Sequence, residues 1–382
     1  MDHFLSPPSS GTPLYKQIRA YILKQIHDNV WKPDQQIPSE HELAEQFQVS
    51  RVTVRGALKE LAEENIIYRM RGKGSFIHSE AAMATQIKQN SLEGSRFVAL
   101  LIPRLDNRFT ANVVSGIEEV LSAQGYRLLV ARTHDSKEIE KKQLHEMVRL
   151  GVNGIIVYPV SDETYNEDIL KLSLNRFPLV VIDRYLRGIE TNCVCSDNIQ
   201  GAKTATSYLL EHGHSKIAFI SSNKITTSIE DRLFGYQQAL SEGNIPLNSG
   251  YQLYLQANQG KLSSGYLEDL QAFFKDHPEV TACFVTHYSI AFHVIHVLKS
   301  MGKAVPRDLS VICFDDYEGS EHAEVPLTCV EQQEYRLGQQ SAELLIANIE
   351  SAGQERGMVK LPTNFIIRSS VSRRSEQGPS SH

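Results

Sequence analysis

The stretch PSEHELAEQFQVSRVTVRGALKELAEENIIYRMRGKGSF, residues 38–76, predicts two short helices joined by a tight turn and followed by a basic hairpin. Ser39 can cap the first helix while the Glu42 side chain reaches back to the cap residue, and Ser50 can cap the second helix. Asn65 is placed to end the second helix, and apolar runs at 66–70 and 75–77 flank the turn Arg71-Gly72-Lys73-Gly74. This spacing is typical of a helix-turn-helix with a wing.

The residue types in this stretch suit DNA. Arg51 and Arg55 lie four residues apart, so both project from one face near the start of the second helix, where a recognition helix meets base edges. Further cations lie on the hairpin: Arg69, Arg71 and Lys73. The two hairpin glycines let the backbone approach a phosphate closely. A solvated basic surface is the alternative for the hairpin alone, but the helix pair and the hairpin in this order favour nucleic acid.

The segments LYKQIRAYILKQI, KPDQQIPSEHELAEQFQVSRVTVRGALKEL and RMRGKGSFI resemble the winged helix-turn-helix of the GntR family across residues 12–78. The resemblance implies that nine residues contact operator DNA: Glu40, His41, Ser50, Arg51, Val52, Arg55, Arg71, Gly72 and Lys73. Two positions depart from the family pattern. His41 stands where an arginine is usual, and Gly56 lies inside the recognition helix, where glycine costs about 1 kcal/mol. The operator sequence of the family therefore does not transfer to this chain.

Length and composition predict a globular protein of two or three units. The chain has 382 residues, of which 41% are hydrophobic and 22% are charged. No apolar run reaches the roughly 20 residues needed to span a bilayer, and the start MDHFLSPPSSG lacks a signal-peptide pattern, so we expect a cytoplasmic protein with no membrane segment. Residues 1–78 carry ten Lys/Arg and nine Asp/Glu, whereas residues 79–382 carry 29 and 36. The acidic remainder should avoid nucleic acid and leave binding to the basic N-terminal unit.

Cysteine and histidine usage gives no sign of a metal site. The five cysteines form no CxxC pair and no zinc-like spacing, and each lies in an apolar run, which predicts buried reduced thiols. His287, His293 and His296 are close in sequence, but no carboxylate or cysteine completes a ligand set. We therefore expect neither a metal nor a cofactor.

The chain organisation predicts an N-terminal domain at 1–78, a linker at 79–95, a larger domain at 96–370 and a disordered tail at 371–382. Leu14, Ile18, Ile22 and Ile26 form a helical apolar stripe that should pack under the helix-turn-helix.

From residue 96 onward, short apolar runs alternate with amphipathic segments. The predicted strands are FVALLI (97–102), YRLLVA (126–131), GIIVYPV (154–160), LVVID (179–183), KIAFIS (216–221), YQLYLQ (251–256), ACFVTH (282–287) and SVICF (310–314). Strands that are apolar throughout, with helices between them, indicate parallel sheets covered on both faces. Eight such units are more than a single doubly wound sheet usually contains. We therefore expect an α/β fold with two consecutive doubly wound subdomains that face each other across a cleft.

Polar residues at the strand ends suit a ligand rich in hydroxyl groups. Asp183 and Arg184 close LVVID, Arg232 begins a helix after KIAFIS, and Asp315 follows SVICF. Vicinal hydroxyls both donate and accept, so planar bidentate groups such as these can bind them. For each aspartate, the alternative role is that of a helix cap or turn residue.

The larger domain resembles the sugar-responsive regulatory domains of the LacI/GalR family, which are similar to periplasmic sugar-binding proteins. The resemblance rests on VVIDR (180–184), SDN (196–198), YLLEHGHSKIAFI (208–220), RLFGYQQAL (232–240), VPRDLSVICFDD (305–316) and PLTCV (326–330). It implies that Asp183, Arg232 and Asp315 grip effector hydroxyls, with Ser228 one turn before Arg232. It also places Asn107 and Phe109 in the loop that touches ligand.

One departure bears on the effector. Where the family generally has Asn-Asp, this chain has His287-Tyr288, and His287 could bind a hydroxyl or, when protonated, an anionic group. A phosphorylated sugar therefore remains an alternative effector. Asp197 and Asn198 are interpreted as a helix cap near the junction of the subdomains, with ligand contact as the alternative, and His214 is interpreted as structural.

These interpretations predict a transcription regulator, most simply a repressor of carbohydrate utilisation genes. The pairing of this head with this body also occurs in regulators of arabinose use, which the chain resembles in plan. Two heads reading a palindromic operator need two-fold symmetry, so a homodimer is expected. A purine-responsive co-repressor-type regulator is the alternative. A carbohydrate-processing enzyme is a further one, although no GxGxxG, GxxxxGK[ST] or GxSxG motif supports it.

Overall fold

A computed structural model describes residues 13–27, 30–32, 34–63, 66–70, 73–78, 96–160, 166–223, 226–258, 261–262, 265–350 and 356–374. The contacts divide the chain into two compact units, residues 1–95 and 96–382, which we call the head and the body. The predicted linker at 79–95 lies outside the described residues.

The head combines a helical core with a small antiparallel sheet. Its described elements are α1 (Leu14–His27), α2 (Glu40–Phe47), α3 (Arg51–Glu63), β1 (Ile67–Met70) and β2 (Gly74–Ile77). Ile18, Ile22 and Ile26 of α1 are buried with side chains of α2 and α3, as the apolar stripe predicted. Leu14 was expected in the same stripe, but it is 49% exposed because it lies at the first residue of α1, outside this core.

The predicted helix caps of the head are confirmed. The Ser39 hydroxyl accepts a hydrogen bond from the Glu42 amide at 3.2 Å, and the Glu42 carboxylate accepts one from the Ser39 amide at 2.7 Å. The Ser50 hydroxyl accepts from the Thr53 amide at 3.2 Å and so caps α3. Strands β1 and β2 form the predicted hairpin, while Asn65 lies outside the described residues.

The body alternates strands and helices along most of its length. Its described elements, in chain order, are β3 (Arg96–Ile102), α4 (Arg108–Ala123), β4 (Tyr126–Arg132), α5 (Lys137–Arg149), β5 (Gly154–Val157), α6 (Glu167–Leu174), β6 (Leu179–Ile182), β7 (Asn192–Ser196), α7 (Asn198–Glu211), β8 (Ile217–Ser222), α8 (Thr227–Glu242), β9 (Gln252–Leu255), β10 (Ala257–Asn258), β11 (Lys261–Leu262), α9 (Tyr266–Asp276), β12 (Ala282–Val285), α10 (Tyr288–Ser300), β13 (Ser310–Phe314), β14 (Thr328–Glu331), α11 (Glu334–Glu350), β15 (Met358–Leu361) and β16 (Asn364–Ile366).

Two six-stranded sheets define two lobes. The first lobe has the strand order β15-β7-β6-β5-β3-β4, and its paired strands are all parallel. The second lobe has the order β16-β14-β13-β12-β8-β9, with β16 alone antiparallel to its neighbour. Both faces of each sheet are covered by buried apolar side chains from helices. The predicted pair of doubly wound subdomains is thus confirmed.

The two lobes are not consecutive in sequence, which corrects the prediction. After β14 the chain returns to the first lobe, where α11 packs beside α4 and β15 joins the edge of the sheet. It then crosses back to add β16 to the second lobe. Three short segments therefore connect the lobes, at 197, 332–333 and 362–363.

The predicted disordered tail needs correction at its start. Residues 371–374 continue along the second lobe, because the Ser372 amide donates to the Ser310 hydroxyl at 3.1 Å and the Arg374 amide donates to the His212 carbonyl at 2.9 Å. Residues 375–382 lie outside the described residues. The two ring nitrogens of His214 form hydrogen bonds with the Thr281 hydroxyl and the Ser372 carbonyl, both at 3.0 Å. His214 thus connects this segment to the rest of the second lobe, which is the structural role predicted for it.

The five cysteines are buried and unpaired, as predicted. Across the described ranges, no helix combines the length and apolar character that crossing a bilayer requires.

Candidate functional site

Helix α3 presents its first turn to solvent. Arg51 and Val52 are both exposed, Val52 to 75%, while Val54 on the opposite face is fully buried in the head. An exposed valine beside an arginine at the start of a capped helix fits the surface that reads base edges and thymine methyls in the major groove. Ser50, which caps this turn, holds its backbone in place.

Glu40 organises two arginines of the head. Its carboxylate oxygen Oε2 accepts from Nε and Nη2 of Arg55 at 3.1 and 3.0 Å, and Oε1 lies 3.6 Å from Nη2 of Arg69. Because both guanidinium groups pair with Glu40, this carboxylate restricts their positions. The ion pair between Arg69 and Glu40 was not predicted, because the sequence does not show that β1 lies next to α2. His41 lies 3.5 Å from Glu45, one turn along the same helix.

The tip of the hairpin is only partly described. Lys73 is exposed, and its carbonyl accepts a hydrogen bond from the Gln36 side chain at 2.7 Å. Gly74 has a φ of 106°, a conformation that glycine adopts without strain. Arg71 and Gly72, predicted to contact DNA, lie outside the described residues.

A cavity of about 250 Å³ lies between the lobes of the body, at the carboxyl ends of both sheets. All eight residues predicted to bind the effector line it: Asn107, Phe109, Asp183, Arg184, Ser228, Arg232, His287 and Asp315. This is the position at which open α/β sheets bind their ligands. The volume falls slightly below the range of drug-sized pockets and suits a small molecule.

Asp183 and Asp315 occupy equivalent positions in the two lobes. Each follows the last residue of a central strand, and each has a positive φ, 67° and 69°. Their amides donate to the carbonyls of Val194 and Val330, both at 2.9 Å. This left-handed conformation costs a non-glycine residue roughly 1–2 kcal/mol, and such strain concentrates at functional sites.

Arg232 is fixed by its surroundings in the second lobe. Its Nε donates to the Asn198 side chain at 2.8 Å, and Nη1 donates to the Thr286 carbonyl at 2.7 Å. The guanidinium carbon lies 3.6 Å from the centre of the Phe314 ring, while Nη1 lies 3.9 Å from Asp315. Asn198 was interpreted as part of a helix cap, and it instead orients this arginine.

Asp197 has the predicted capping role, since its side chain accepts from the Gln200 amide at 3.0 Å.

Asp315 is held from two sides. Gln332, in a segment that connects the lobes, donates from Nε2 to Oδ1 of Asp315 at 2.5 Å. Nε2 of His287 lies 3.8 Å from Oδ2. Gln332 also lines the cavity, so an interlobe segment touches both the ligand space and one of its main carboxylates.

His287 caps α10 and faces the cavity. Its Nδ1 accepts from the Ser289 amide at 3.1 Å, which leaves the proton of the neutral imidazole on Nε2, facing Asp315. Enclosure in the cleft lowers the pKa of His287, although Asp315 opposes this effect. The neutral ring is thus favoured, and its N–H donor lies at the cavity wall.

An aromatic and cationic wall completes the first-lobe side. Arg184 donates to the Pro159 carbonyl at 2.9 Å and lies over the Tyr158 ring, and Phe109 contacts the same ring edge-on with centroids 6.0 Å apart. Burial raises the pKa of Asp183, whose Oδ2 lies 3.4 Å from Nε of Arg184. Tyr158 was missed because it follows Val157 in an apolar run that was interpreted wholly as strand.

Other cavity residues were also missed: Arg104, Asp135, Ser222, Thr226, Thr286, Ser289 and Gln332. Several of them follow strand ends, which is the signal that identified Asp183 and Asp315. Arg104 comes after β3, Asp135 after β4, and Gln332 directly after β14.

A winged helix-turn-helix with an exposed cationic recognition helix, joined to a two-lobed body with a polar cleft, defines a ligand-responsive DNA-binding regulator. The comparisons agree with this class. The model of the bacterial regulatory proteins of the gntR family matches residues 14–77, and that of the periplasmic binding protein-like domain matches residues 206–371.

Two curated relatives span nearly the whole chain. The arabinose metabolism transcriptional repressor of Geobacillus stearothermophilus is 32% identical over 367 residues, 94% of this chain and 98% of the relative. That of Halalkalibacterium halodurans is 28% identical over 95% of this chain and 98% of the relative. The chain belongs to this family of transcriptional repressors with a gntR-family head and a periplasmic-binding-protein-like body.

A solved structure shares the fold of the body. The LacI family transcriptional regulator from Enterococcus faecium with bound ribose has a TM-score of 0.62 and 26% identity, covering 73% of this chain and 100% of that one.

Proposed function

We propose that this protein represses genes for the use of a pentose or a similar neutral sugar, and that the sugar binds in the interlobe cleft and releases the operator. The observation that carries the proposal is the convergence of Asp183, Arg232 and Asp315 on one cavity between the lobes. The relatives named for arabinose metabolism and the relative with bound ribose support a five-carbon sugar.

The charges around the cavity favour a neutral ligand over a sugar phosphate. Three arginines and three aspartates line it: Arg104, Arg184, Arg232, Asp135, Asp183 and Asp315. Each arginine is already engaged by a carboxylate, Arg104 by Asp106 at 2.9 Å, and the other two by cavity aspartates. A phosphate needs cationic donors to offset its charge, whereas sugar hydroxyls can share donors and acceptors that are already paired.

In the head, we propose that Arg51, Val52 and Arg55 contact base edges, while Ser50, Lys73 and the hairpin residues Arg71 and Gly72 contact the backbone. Glu40 holds Arg55 in place, and His41 contributes at the edge of the same surface. The exposure of α3 supports these roles. We further propose a homodimer on a palindromic operator, acting in the cytoplasm, where DNA lies and where buried thiols stay reduced.

The test is a thermal-shift screen of the full chain with arabinose, ribose, hexoses, pentose phosphates, hypoxanthine and guanine. A neutral pentose should raise the melting temperature, and it should release a fragment of the protein's own promoter in a mobility-shift assay. Stabilisation by a phosphate ester alone would contradict the neutral-sugar assignment, and stabilisation by a purine alone would favour a purine-responsive regulator. Turnover of the bound sugar, followed by nuclear magnetic resonance, would indicate an enzyme.

A further inference from the structure

The lobes also contact each other immediately beside the cavity. The loop after β6 carries Asp183 and Arg184 and then reaches across to the first two turns of α8 through Tyr185. Helix α8 carries Ser228 and Arg232, which line the cavity from the other lobe. Tyr185 itself does not line the cavity, so any effect on the ligand acts through its neighbours.

Tyr185 makes three hydrogen bonds to α8. The Thr227 hydroxyl accepts from the Tyr185 amide at 3.2 Å and donates to the Tyr185 carbonyl at 3.1 Å. The Tyr185 phenol donates to Oδ1 of Asp231 at 2.9 Å. Thr227 is 5% exposed and Asp231 is 8% exposed, so water does not replace these partners easily. Removal of the phenol would leave a buried carboxylate without this donor, which is costly.

A neighbouring ion pair is a weaker connection between the same elements. Arg187 lies 2.7 Å from Glu230, but the two side chains are 59% and 36% exposed. Exposed pairs of this kind contribute little, because solvent screens them and the long side chains lose freedom. The buried hydrogen bonds of Tyr185 therefore contribute more than this ion pair to the contact between the loop after β6 and α8.

We propose that Tyr185 is a positioning residue of the effector site, which stabilises the closed arrangement of the lobes through its bond to Asp231. The two halves of the cavity lie on different lobes, so a ligand that contacts both favours the arrangement in which the lobes are close. The bond from Tyr185 to Asp231 spans the same two lobes, and its length of 2.9 Å requires that they stay close at this point. The role in ligand affinity rests on the proposed function, whereas the role in closure does not.

The experiment compares Tyr185→Phe, Asp231→Ala and the double variant in the full chain, because alanine removes the oxygen that accepts from the phenol. Tyr254→Phe is the control, because its hydroxyl donates to Gln252 within the second lobe. The interlobe distance is followed by fluorescence energy transfer between dyes on Leu174→Cys and Leu247→Cys. Leu174 and Leu247 are 77% and 54% exposed and lie on different lobes. The five native cysteines are buried and should not react.

Without added sugar, both single variants should show lower energy transfer than the wild type, the double variant no further loss, and the control no change. The sugar found in the screen should bind Tyr185→Phe roughly tenfold more weakly, while promoter affinity without sugar does not fall. A merely structural defect would lower promoter affinity as well.

Unchanged energy transfer in both single variants would overturn the proposal, whether or not a sugar binds. If no sugar binds the wild type, the proposed function fails, and the distance measurement still decides the role of Tyr185.

Discussion

Asp315 combines four features of a ligand-binding carboxylate: it lines the cavity, it is 7% exposed, its side chain accepts a hydrogen bond from Gln332, and its backbone is left-handed. Asp315→Asn keeps the shape, and asparagine tolerates this backbone conformation. We expect the variant to fold normally but to bind sugar roughly ten- to a hundredfold more weakly, because a charged acceptor is lost. Thermal shift against sugar concentration measures the change. Promoter binding at the wild-type level is the control, and an undiminished shift would remove Asp315 from the site.

Arg51 and Lys73 should affect DNA binding differently. Arg51 lies at the start of the recognition helix, so Arg51→Ala should weaken promoter binding by about 1–3 kcal/mol and random DNA much less. Lys73 lies at the hairpin, so Lys73→Ala should weaken both and reduce the salt slope by about 1. Fluorescence anisotropy at several salt concentrations separates these results. Equal losses for both variants on both DNAs would contradict the assigned roles.

The candidate effector residues could be found from the sequence where a strand was recognised. Asp183 and Asp315 follow clear apolar runs, and the family resemblance added Asn107 and Phe109. Gln332 was missed because β14, with the sequence TCVE, has polar residues at both ends and was not recognised as a strand. The hydrogen bond between Arg232 and Asn198 could not be predicted from the sequence either, because it joins residues 34 positions apart on two helices.

At the scale of single elements, two helical glycines should respond oppositely to substitution. An added Cβ at Gly56 of α3 would make only an ordinary contact with Tyr15. At Gly116 of α4 it would collide with the backbone of α11 at Tyr335. We expect Gly56→Ala to stabilise the head by about 0.5–1 kcal/mol through helix propensity. Gly116→Ala should destabilise the body by roughly 1–3 kcal/mol through overpacking.

Denaturant unfolding can measure both effects. Trp31 is the single tryptophan of the chain and lies in the head, so its fluorescence follows unfolding of the head and measures the effect of Gly56→Ala. Circular dichroism, to which the larger body contributes most, measures the effect of Gly116→Ala. A lower midpoint of the Trp31 transition in Gly56→Ala would show that the glycine is required by the fold of the head.

Helix α5 carries a buried acid that should make the body sensitive to pH. Burial raises the pKa of Glu140 to about 7, although its carboxylate accepts from the Val160 amide at 2.9 Å. The folded state therefore binds the proton more tightly than the unfolded state, whose pKa is near 4.5. The resulting stability is fully present below pH 4.5 and is lost as the pH rises through 7. Glu140→Gln should remove this dependence.

Melting curves between pH 5 and pH 8 test this expectation. The wild type should lose on the order of 2–3 kcal/mol relative to Glu140→Gln across this window. Glu138→Gln is the matched control on the same helix, since its pKa is lowered by hydrogen bonds and it titrates below the window. Parallel curves for the wild type and Glu140→Gln would contradict the prediction.

The strands that were missed share a physical cause. β7, β14, β15 and β16 have three to five residues, and some mix polar side chains with apolar ones at the edge of a sheet, as in MVKL and NFI. In all four strands, polar residues interrupt or border the apolar residues, so the local pattern does not identify a strand. The central strands β5, β6 and β12 also have only four residues, but they were identified because burial on both faces makes their sequences apolar throughout.

On the scale of the whole molecule, the path of the chain between the lobes was not predictable from local pattern. The amphipathic helix α11 could cover either sheet, and only tertiary packing shows that it lies beside α4 in the first lobe. The order of domains, by contrast, followed from the motifs alone.

Sugar and operator should oppose each other by the same factor. If sugar weakens promoter affinity by about 5- to 150-fold, the promoter must weaken sugar affinity equally, because the coupling free energy is reciprocal. Isothermal titration of sugar into the protein, with and without a promoter fragment, measures one side, and anisotropy measures the other. Unequal factors would indicate that a further state or binding partner takes part.

The return of α11 and β15 to the first lobe has a consequence for the gene. Neither lobe is encoded by one continuous segment, so a frameshift or nonsense codon after β14 removes a long helix and an edge strand from the lobe that was translated first. Exchange of ligand preference between relatives must likewise transplant two separate stretches of coding sequence, 96–196 and 334–361, or the recombinant receptor will lack part of its own scaffold.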